Sequence, residues 1–252
     1  MRRERKALAI GVSLAVVVIG ALVTPQAFAG TLPGTGSGRG STGGAAPGGF
    51  FERLRNRAAQ SGGGQNANGC SDVELVFARG TGEPQGLGIV GRPLAQALAG
   101  ELPGQNVGSF AVVYAAAADQ ASAGPGATNM TQHIEQVAQS CPDTQFVIGG
   151  YSQGASVTDI AAGIRGAGTR GDAIPAELRS KVAAVVVFGN PLGLRRQTIE
   201  RASPDFAGKA VEFCNNGDPV CGGGNNFAAH LAYPRNGTVQ QGAEFAAQQL
   251  GG

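Results

Sequence analysis

Seven consecutive apolar residues, Val182-Ala183-Ala184-Val185-Val186-Val187-Phe188, restrict the folds open to this chain more than any other stretch. A strand with one wet face alternates polar and apolar side chains, because successive residues point to opposite faces. This run has no polar position, and it is rich in β-branched residues. It reads as a strand buried on both faces, which requires a parallel sheet with helices packed on either side.

Hydrophobic periodicity and Gly/Pro punctuation place further elements around it. Strands are expected at 73–78, 109–114, 146–149 and 209–213. Helical spacing is expected over 89–102, 127–139, 155–162, 227–232 and 239–250. Strands therefore alternate with helices, and the expected architecture is a three-layer α/β/α sandwich with about five central parallel strands. Ligands of such sheets bind at the carboxyl ends of the strands. The loops after Ala78, Tyr114, Phe188 and Phe213 all reach that edge.

The chain before this region is of two different kinds. Residues 1–29 carry a basic start (Arg2, Arg3, Arg5, Lys6), an apolar run from Ala7 to Val23 and Ala27-Phe28-Ala29. That is the pattern of a secretory signal peptide, with an uncleaved membrane anchor as the alternative. Residues 30–68 are rich in Gly, Ser, Thr and Pro, cannot bury a core, and read as a flexible linker. Within them Phe50-Phe51-Glu52-Arg53-Leu54-Arg55-Asn56-Arg57 is a candidate amphipathic contact for a cell wall or membrane surface; the alternative is a fluctuating segment of the tail. The formal charge of +2 includes four basic residues and one acidic residue of the signal. Without them 15 basic and 16 acidic residues remain, so no nucleic-acid partner is indicated.

Residues 69–252 hold all four cysteines, Cys70, Cys141, Cys214 and Cys221. An even number in an exported chain points to two disulfides. Of three pairings, Cys70–Cys141 with Cys214–Cys221 is favoured, because the second pair is close in sequence and brackets a turn-rich stretch. No C-x-x-C occurs and the histidines are not at ligand spacing, so no metal site is expected.

Between the third strand and the helix that follows stands Gly150-Tyr151-Ser152-Gln153-Gly154. Strand, G-x-S-x-G, helix is the context of a nucleophile elbow. The bare pattern is weak where 43 of 252 residues are glycine; its position between strand and helix gives it weight. A serine hydroxyl needs an adjacent base, and that base needs a carboxylate to hold its tautomer. Only two histidines exist, and the order Ser, acid, His leaves His230 as the base. His133 precedes the serine and reads as a surface residue of a helix. Among acids between Ser152 and His230, Asp159 lies two turns along the elbow helix and Asp172 in a Gly-rich connection. Glu177, Glu200 and Asp205 lie in polar stretches, and Glu212 lies inside a strand. Asp218 remains, in the loop bounded by Cys214 and Cys221. Oxyanion donors are expected from the N–H of Gln153 and from Thr81, in Arg79-Gly80-Thr81-Gly82-Glu83.

Four stretches, Ala78 to Glu83, Gly150 to Gly154, Gly217-Asp218-Pro219-Val220-Cys221 and His230-Leu231-Ala232-Tyr233, resemble the cutinases. The likeness is closest to the cutinase-like proteins exported by mycobacteria and related actinomycetes. It spans about Ser71 to the C-terminus, and the long Gly-rich segment before Cys70 departs from the compact fungal enzymes. The resemblance implies a lidless α/β-hydrolase that cleaves carboxylic esters, with Ser152, Asp218 and His230 as triad and Thr81 and Gln153 as oxyanion hole. It also implies the disulfides Cys70–Cys141 and Cys214–Cys221. Short- to medium-chain acyl esters, including cutin-like polyesters or lipids, are the expected substrates of a monomer that uses neither metal nor organic cofactor. The alternatives are a long-chain lipase, phospholipase or thioesterase, and a non-catalytic wall protein on a hydrolase fold.

Overall fold

The computed structural model describes residues 69–251; the expected signal peptide, the linker and its Phe50–Arg57 stretch lie outside the described residues. Five strands run in parallel: β1 (Val73–Ala78), β2 (Val107–Ala111), β3 (Gln145–Tyr151), β4 (Val182–Phe188) and β5 (Ala210–Phe213). Their order in the sheet is β2-β1-β3-β4-β5. Helix α1 (Gly88–Glu101) follows β1, α2 (Ala123–Ser140) follows β2, and α3 (Gln153–Ala161) follows β3. Three further helices, α4 (Ile199–Ala202), α5 (Phe227–His230) and α6 (Thr238–Gln249), complete the chain.

The apolar run that opened the sequence is β4, and all seven of its residues are buried. From Ala184 to Phe188 they alternate between two cores, and a register shift against β3 after Val182 puts Val182 on the same side as Val185. Val182, Val185 and Val187 join the side covered by α2 and α3, with Met130, Ile134, Val157, Phe146 and Ile148. Ala184, Val186 and Phe188 join the side covered by α1 and α6, with Leu94, Leu98, Ala243 and Ala246. A strand wedged between two dry layers tolerates no polar position.

β2 ends earlier and begins earlier than expected. Val112 N still donates to Phe77 O at 3.0 Å, but the strand stops there, because the Arg79 guanidinium takes the carbonyls of Val112 and Tyr114. Its Nη2 donates to Tyr114 O at 2.7 Å and its Nη1 to Val112 O at 3.5 Å, while Asn129 Oδ1 accepts from Val113 N at 2.7 Å. Val113 is left exposed. The remaining elements lie within a few residues of the sequence reading.

The sheet order places the functional edge. From β1 the chain moves outward to β2, whereas from β3 it moves the other way to β4. The loops leaving the adjacent ends of β1 and β3 therefore diverge and open a crevice between them, the usual place for a ligand in an open α/β sheet. The Arg79–Glu83 loop and Ser152 stand on its two sides. Among the described residues no helix is long and apolar enough to cross a membrane.

Candidate active site

Ser152 sits at the turn from β3 into α3 with φ 56° and ψ −118°. An L-residue at positive φ is strained, and such strain is kept where the surroundings enforce it. Here the enforcement is close packing. A Cβ at Gly150 would lie 2.0 Å from Gly154 O, and one at Gly154 would lie 1.9 Å from Ala78 O. The two glycines thus let the helix start directly against β1 and β3. Ser152 N donates to Phe188 O at 2.9 Å, which ties the turn to β4.

His230 is 3% exposed at the end of α5, and Asp218 is fully buried. His230 Nδ1 lies 2.8 Å from Asp218 Oδ2. An ionised carboxylate only accepts, so Nδ1 carries the proton and Nε2 is left as the basic nitrogen. Asp218 Oδ1 accepts from Val220 N at 2.7 Å, and Oδ2 also accepts from the Tyr233 hydroxyl at 2.6 Å. Burial, with the bond to Asp218, pushes the Tyr233 hydroxyl well above its usual range, so it stays a donor.

The imidazole is gripped on several sides. The Tyr151 ring stacks on it at 4.9 Å, and the Tyr151 hydroxyl donates to His230 O at 2.8 Å. Gly189, at φ +58°, runs behind the ring, where a Cβ would lie 2.7 Å from His230 Cε1. Ser152 and His230 line one pocket of about 700 Å³ with Thr81, Glu83, Gln120, Pro191, Leu194 and Phe227 among others. Among the described residues no hydrogen bond joins Ser152 to His230. Such contacts often tighten only when substrate binds.

The N–H groups of Thr81 and Gln153 donate to no acceptor among the described residues; Thr81 lines this pocket, and Gln153 directly follows Ser152. That of Gln153 opens α3, where the first N–H groups of a helix lack internal partners. The Thr81 loop is held by its neighbours in the motif. Glu83 accepts from Gly80 N at 2.5 Å and from Ile89 N at 2.7 Å, and Arg79 Nε donates to Glu83 O at 2.8 Å. Gln120 Nε2 donates to Thr81 Oγ1 at 3.1 Å, which leaves the Thr81 proton free to turn toward the pocket.

Disulfides join Cys70 to Cys141 and Cys214 to Cys221. The second closes the loop that carries Asp218. His133 is not a free surface residue: it is partly buried, stacks on Phe110 at 3.5 Å and meets Glu74 at 3.1 Å, and it does not line this pocket. Glu212 and Asp159, set aside as acids, both reach Asn190. A larger hollow, about 820 Å³, borders the loop 163–173 and contains neither Ser152 nor His230. Among the described residues no cluster of three or more His, Cys, Asp or Glu side chains is arranged to hold a metal ion.

The sequence reading missed Gln120, Tyr151 and Tyr233 as supports. The two tyrosines lie inside the quoted motifs, as the residue before the serine and the last of His230-Leu231-Ala232-Tyr233. Gln120 lies in a loop without a pattern.

A parallel five-stranded sheet, helices on both faces and a serine elbow at its carboxyl edge define an α/β-hydrolase. A model of the family Cutinase matches residues 69–250. The chain is 57% identical over 180 residues to a cutinase of Kineococcus radiotolerans, covering 71% of this chain and 61% of that protein. It is 43% identical over 187 residues to the probable carboxylesterase Culp3 of Mycobacterium tuberculosis, covering 73% and 71%. It thus spans about three fifths of the length of the Kineococcus relative. Among solved structures, Trichoderma reesei cutinase in complex with a phosphonate inhibitor superposes with TM-score 0.60 at 29% identity, covering 79% of this chain and 85% of that one. The catalytic core domain of acetyl xylan esterase from the same fungus gives TM-score 0.61 at 28% identity, covering 71% and 99%. The chain belongs to the cutinase family.

Proposed function

We propose that the protein is an exported serine esterase that hydrolyses carboxylic esters through an acyl-enzyme. Ser152 Oγ attacks the acyl carbon while His230 Nε2 takes its proton. The developing oxyanion rests on the N–H groups of Thr81 and Gln153 and on the Thr81 hydroxyl. The alcohol leaves with the proton from His230. Water then attacks the acyl-Ser152 ester, gives its proton to His230, and the acid departs with Ser152 restored. Asp218 keeps the imidazole in the required tautomer throughout. The observation that carries this reading is the buried His230–Asp218 bond at 2.8 Å beside the pocket that holds Ser152. Family membership and the carboxylesterase relatives support the ester as substrate.

The pocket favours an apolar acyl group. Ile89, Leu194, Phe227 and Leu231 are exposed by 48%, 53%, 57% and 43%, and all four line it. Apolar side chains gathered round one opening mark a binding surface. The same rim supports a second reading, a long-chain lipase or phospholipase, which a chain-length series of p-nitrophenyl esters separates from a short-chain esterase. Export is supported by the two disulfides, which persist in oxidising compartments.

Labelling with a phosphonate tests the central claim. The folded protein should gain one phosphonyl group, on Ser152, and lose esterase activity in proportion. A folded protein that stays unlabelled at Ser152 overturns the esterase reading and leaves a non-catalytic role on a hydrolase fold.

A further inference from the structure

A buried and a partly buried acid that take no part in the proposed chemistry meet behind one wall of the pocket. Asp159 is 1% exposed on α3, and Glu212 is partly buried on β5. Between them stands Asn190, 3% exposed, two residues after the end of β4. Its Nδ2 donates to Asp159 Oδ1 at 3.0 Å and to Glu212 Oε2 at 3.0 Å. Its Oδ1 accepts from Leu192 N at 3.0 Å, and Glu212 Oε1 accepts from Ile199 N at 2.6 Å. Both amide protons and the amide oxygen are therefore engaged. A primary amide is the side chain that can give two protons to two carboxyls while accepting a third bond. Asp in its place has no second proton to give, and an apolar residue has none.

This arrangement is unfavourable for folding taken alone. Two carboxyls share a site withdrawn from water, and burial pushes both above the usual carboxylate range. Arg195 favours the charged form of Asp159, and Glu200 opposes that of Glu212. What the cluster secures is position. Asn190 lies directly between Gly189, which backs the His230 ring, and Pro191, which lines the pocket with Leu194. It fixes this turn to α3 on one side and to β5 on the other.

We propose that Asn190, bridging Asp159 and Glu212, is a positioning residue that sets the Pro191–Leu194 wall against which the apolar chain of the ester lies. The inference rests on the serine-esterase reading and deepens it. A short acyl group is held mainly by Ser152 and the oxyanion donors, which stand on α3 and on the loop after β1. A longer chain needs the wall. Release of the clip therefore weakens long esters more than short ones, and it does so through KM.

The test compares p-nitrophenyl acetate and p-nitrophenyl octanoate for the wild type and Asn190→Ala, in full-length exported protein. The expected result is a fall of about tenfold in the octanoate-to-acetate ratio of kcat/KM, carried by KM for octanoate. An equal loss on both esters marks Asn190 as merely structural and overturns the proposal. Leu194→Ala keeps the clip and removes the exposed side chain it places, so it decides the matter if Asn190→Ala does not fold. An unchanged ratio in Leu194→Ala also overturns the proposal. Phosphonate labelling of the same samples separates the two levels: an unlabelled wild type refutes the esterase reading, whereas labelled proteins with an unchanged ratio refute only the role of Asn190.

Discussion

The Tyr233 hydroxyl and His230 Nδ1 converge on one oxygen, Asp218 Oδ2, at 2.6 and 2.8 Å. Tyr233 is fully buried, and its hydroxyl also accepts from Asn215 N at 3.1 Å. It holds the carboxylate oxygen that the imidazole also binds. A hydrogen bond to a charged group contributes about 1.5–3 kcal/mol. Tyr233→Phe keeps the ring and deletes that bond, so kcat for a p-nitrophenyl ester should fall by about tenfold or more. An unchanged kcat would mean that His230 and Val220 N hold Asp218 without help.

In the proposed mechanism Gln120 acts on the other half of the reaction. By donating to Thr81 Oγ1 it leaves the threonine proton available for the oxyanion. Loss of one oxyanion donor typically costs about 100–1,000-fold in turnover. Thr81→Val should approach that loss, since it removes the hydroxyl and retains the N–H. Gln120→Ala should lose less, about tenfold, because the hydroxyl remains but is no longer aimed. Steady-state kinetics of both variants on one ester check the order; a greater loss in Gln120→Ala contradicts it.

What could be read in the sequence was local or forced by scarcity. β4 was legible because seven apolar residues leave no wet face. Ser152 was legible because its glycines sit at fixed offsets between a strand and a helix. His230 followed from a chain with two histidines, and Asp218 from a loop closed by cysteines. Gln120 had no such signal: it meets Thr81 across 39 residues, from a loop without periodicity. Asn190 had no such signal either, since its two acids lie on elements that meet only once β4 pairs with β5. The end of β2 was misplaced for a related reason. Val112 to Tyr114 have the composition of a strand, yet the carbonyls of Val112 and Tyr114 bond a buried arginine from the neighbouring loop.

The two disulfides should separate stability from activity. Cys70–Cys141 closes a long loop, with a separation of 71 residues, and Cys214–Cys221 a short one of 7. In the chain-entropy model these contribute about 4 and about 2.5 kcal/mol respectively. Replacement of Cys70 and Cys141 by serine should lower Tm more and kcat less. Replacement of Cys214 and Cys221 frees the loop that aims Asp218, and should lower kcat by at least tenfold with a smaller loss in Tm. Paired melting curves and kinetics on the two double variants check this crossing pattern.

Asp159 makes stability depend on pH in a defined direction. Burial, against the opposing bond from Asn190, holds its carboxyl well above the ordinary value of 3.8. Upward from about pH 4, the folded protein keeps a proton that the unfolded chain has released. Stability therefore falls as pH rises through this window, at up to about 1.4 kcal/mol per pH unit for one proton, and levels off above the raised value. Asp159→Asn keeps an oxygen for Asn190 and removes the titration. Its Tm relative to wild type should rise between pH 4 and pH 7. A difference that stays constant over that range would show that Asp159 does not titrate there.

Ser152 holds its hydroxyl in place through a strained backbone, and that strain is itself measurable. At φ 56° and ψ −118° the residue occupies a region that favours glycine. Strain of this kind costs about 1–3 kcal/mol. Ser152→Ala removes the proposed nucleophile and keeps the Cβ, so it should be inactive with a stability near that of wild type. Ser152→Gly removes both. It should be equally inactive yet melt several degrees higher, since about 1 kcal/mol shifts Tm by about 2–4 °C in a domain of this size. The added freedom of glycine in the unfolded chain offsets part of the gain. Parallel melting curves of the three proteins decide the point: a glycine variant no more stable than the alanine variant would show that the elbow stores no strain.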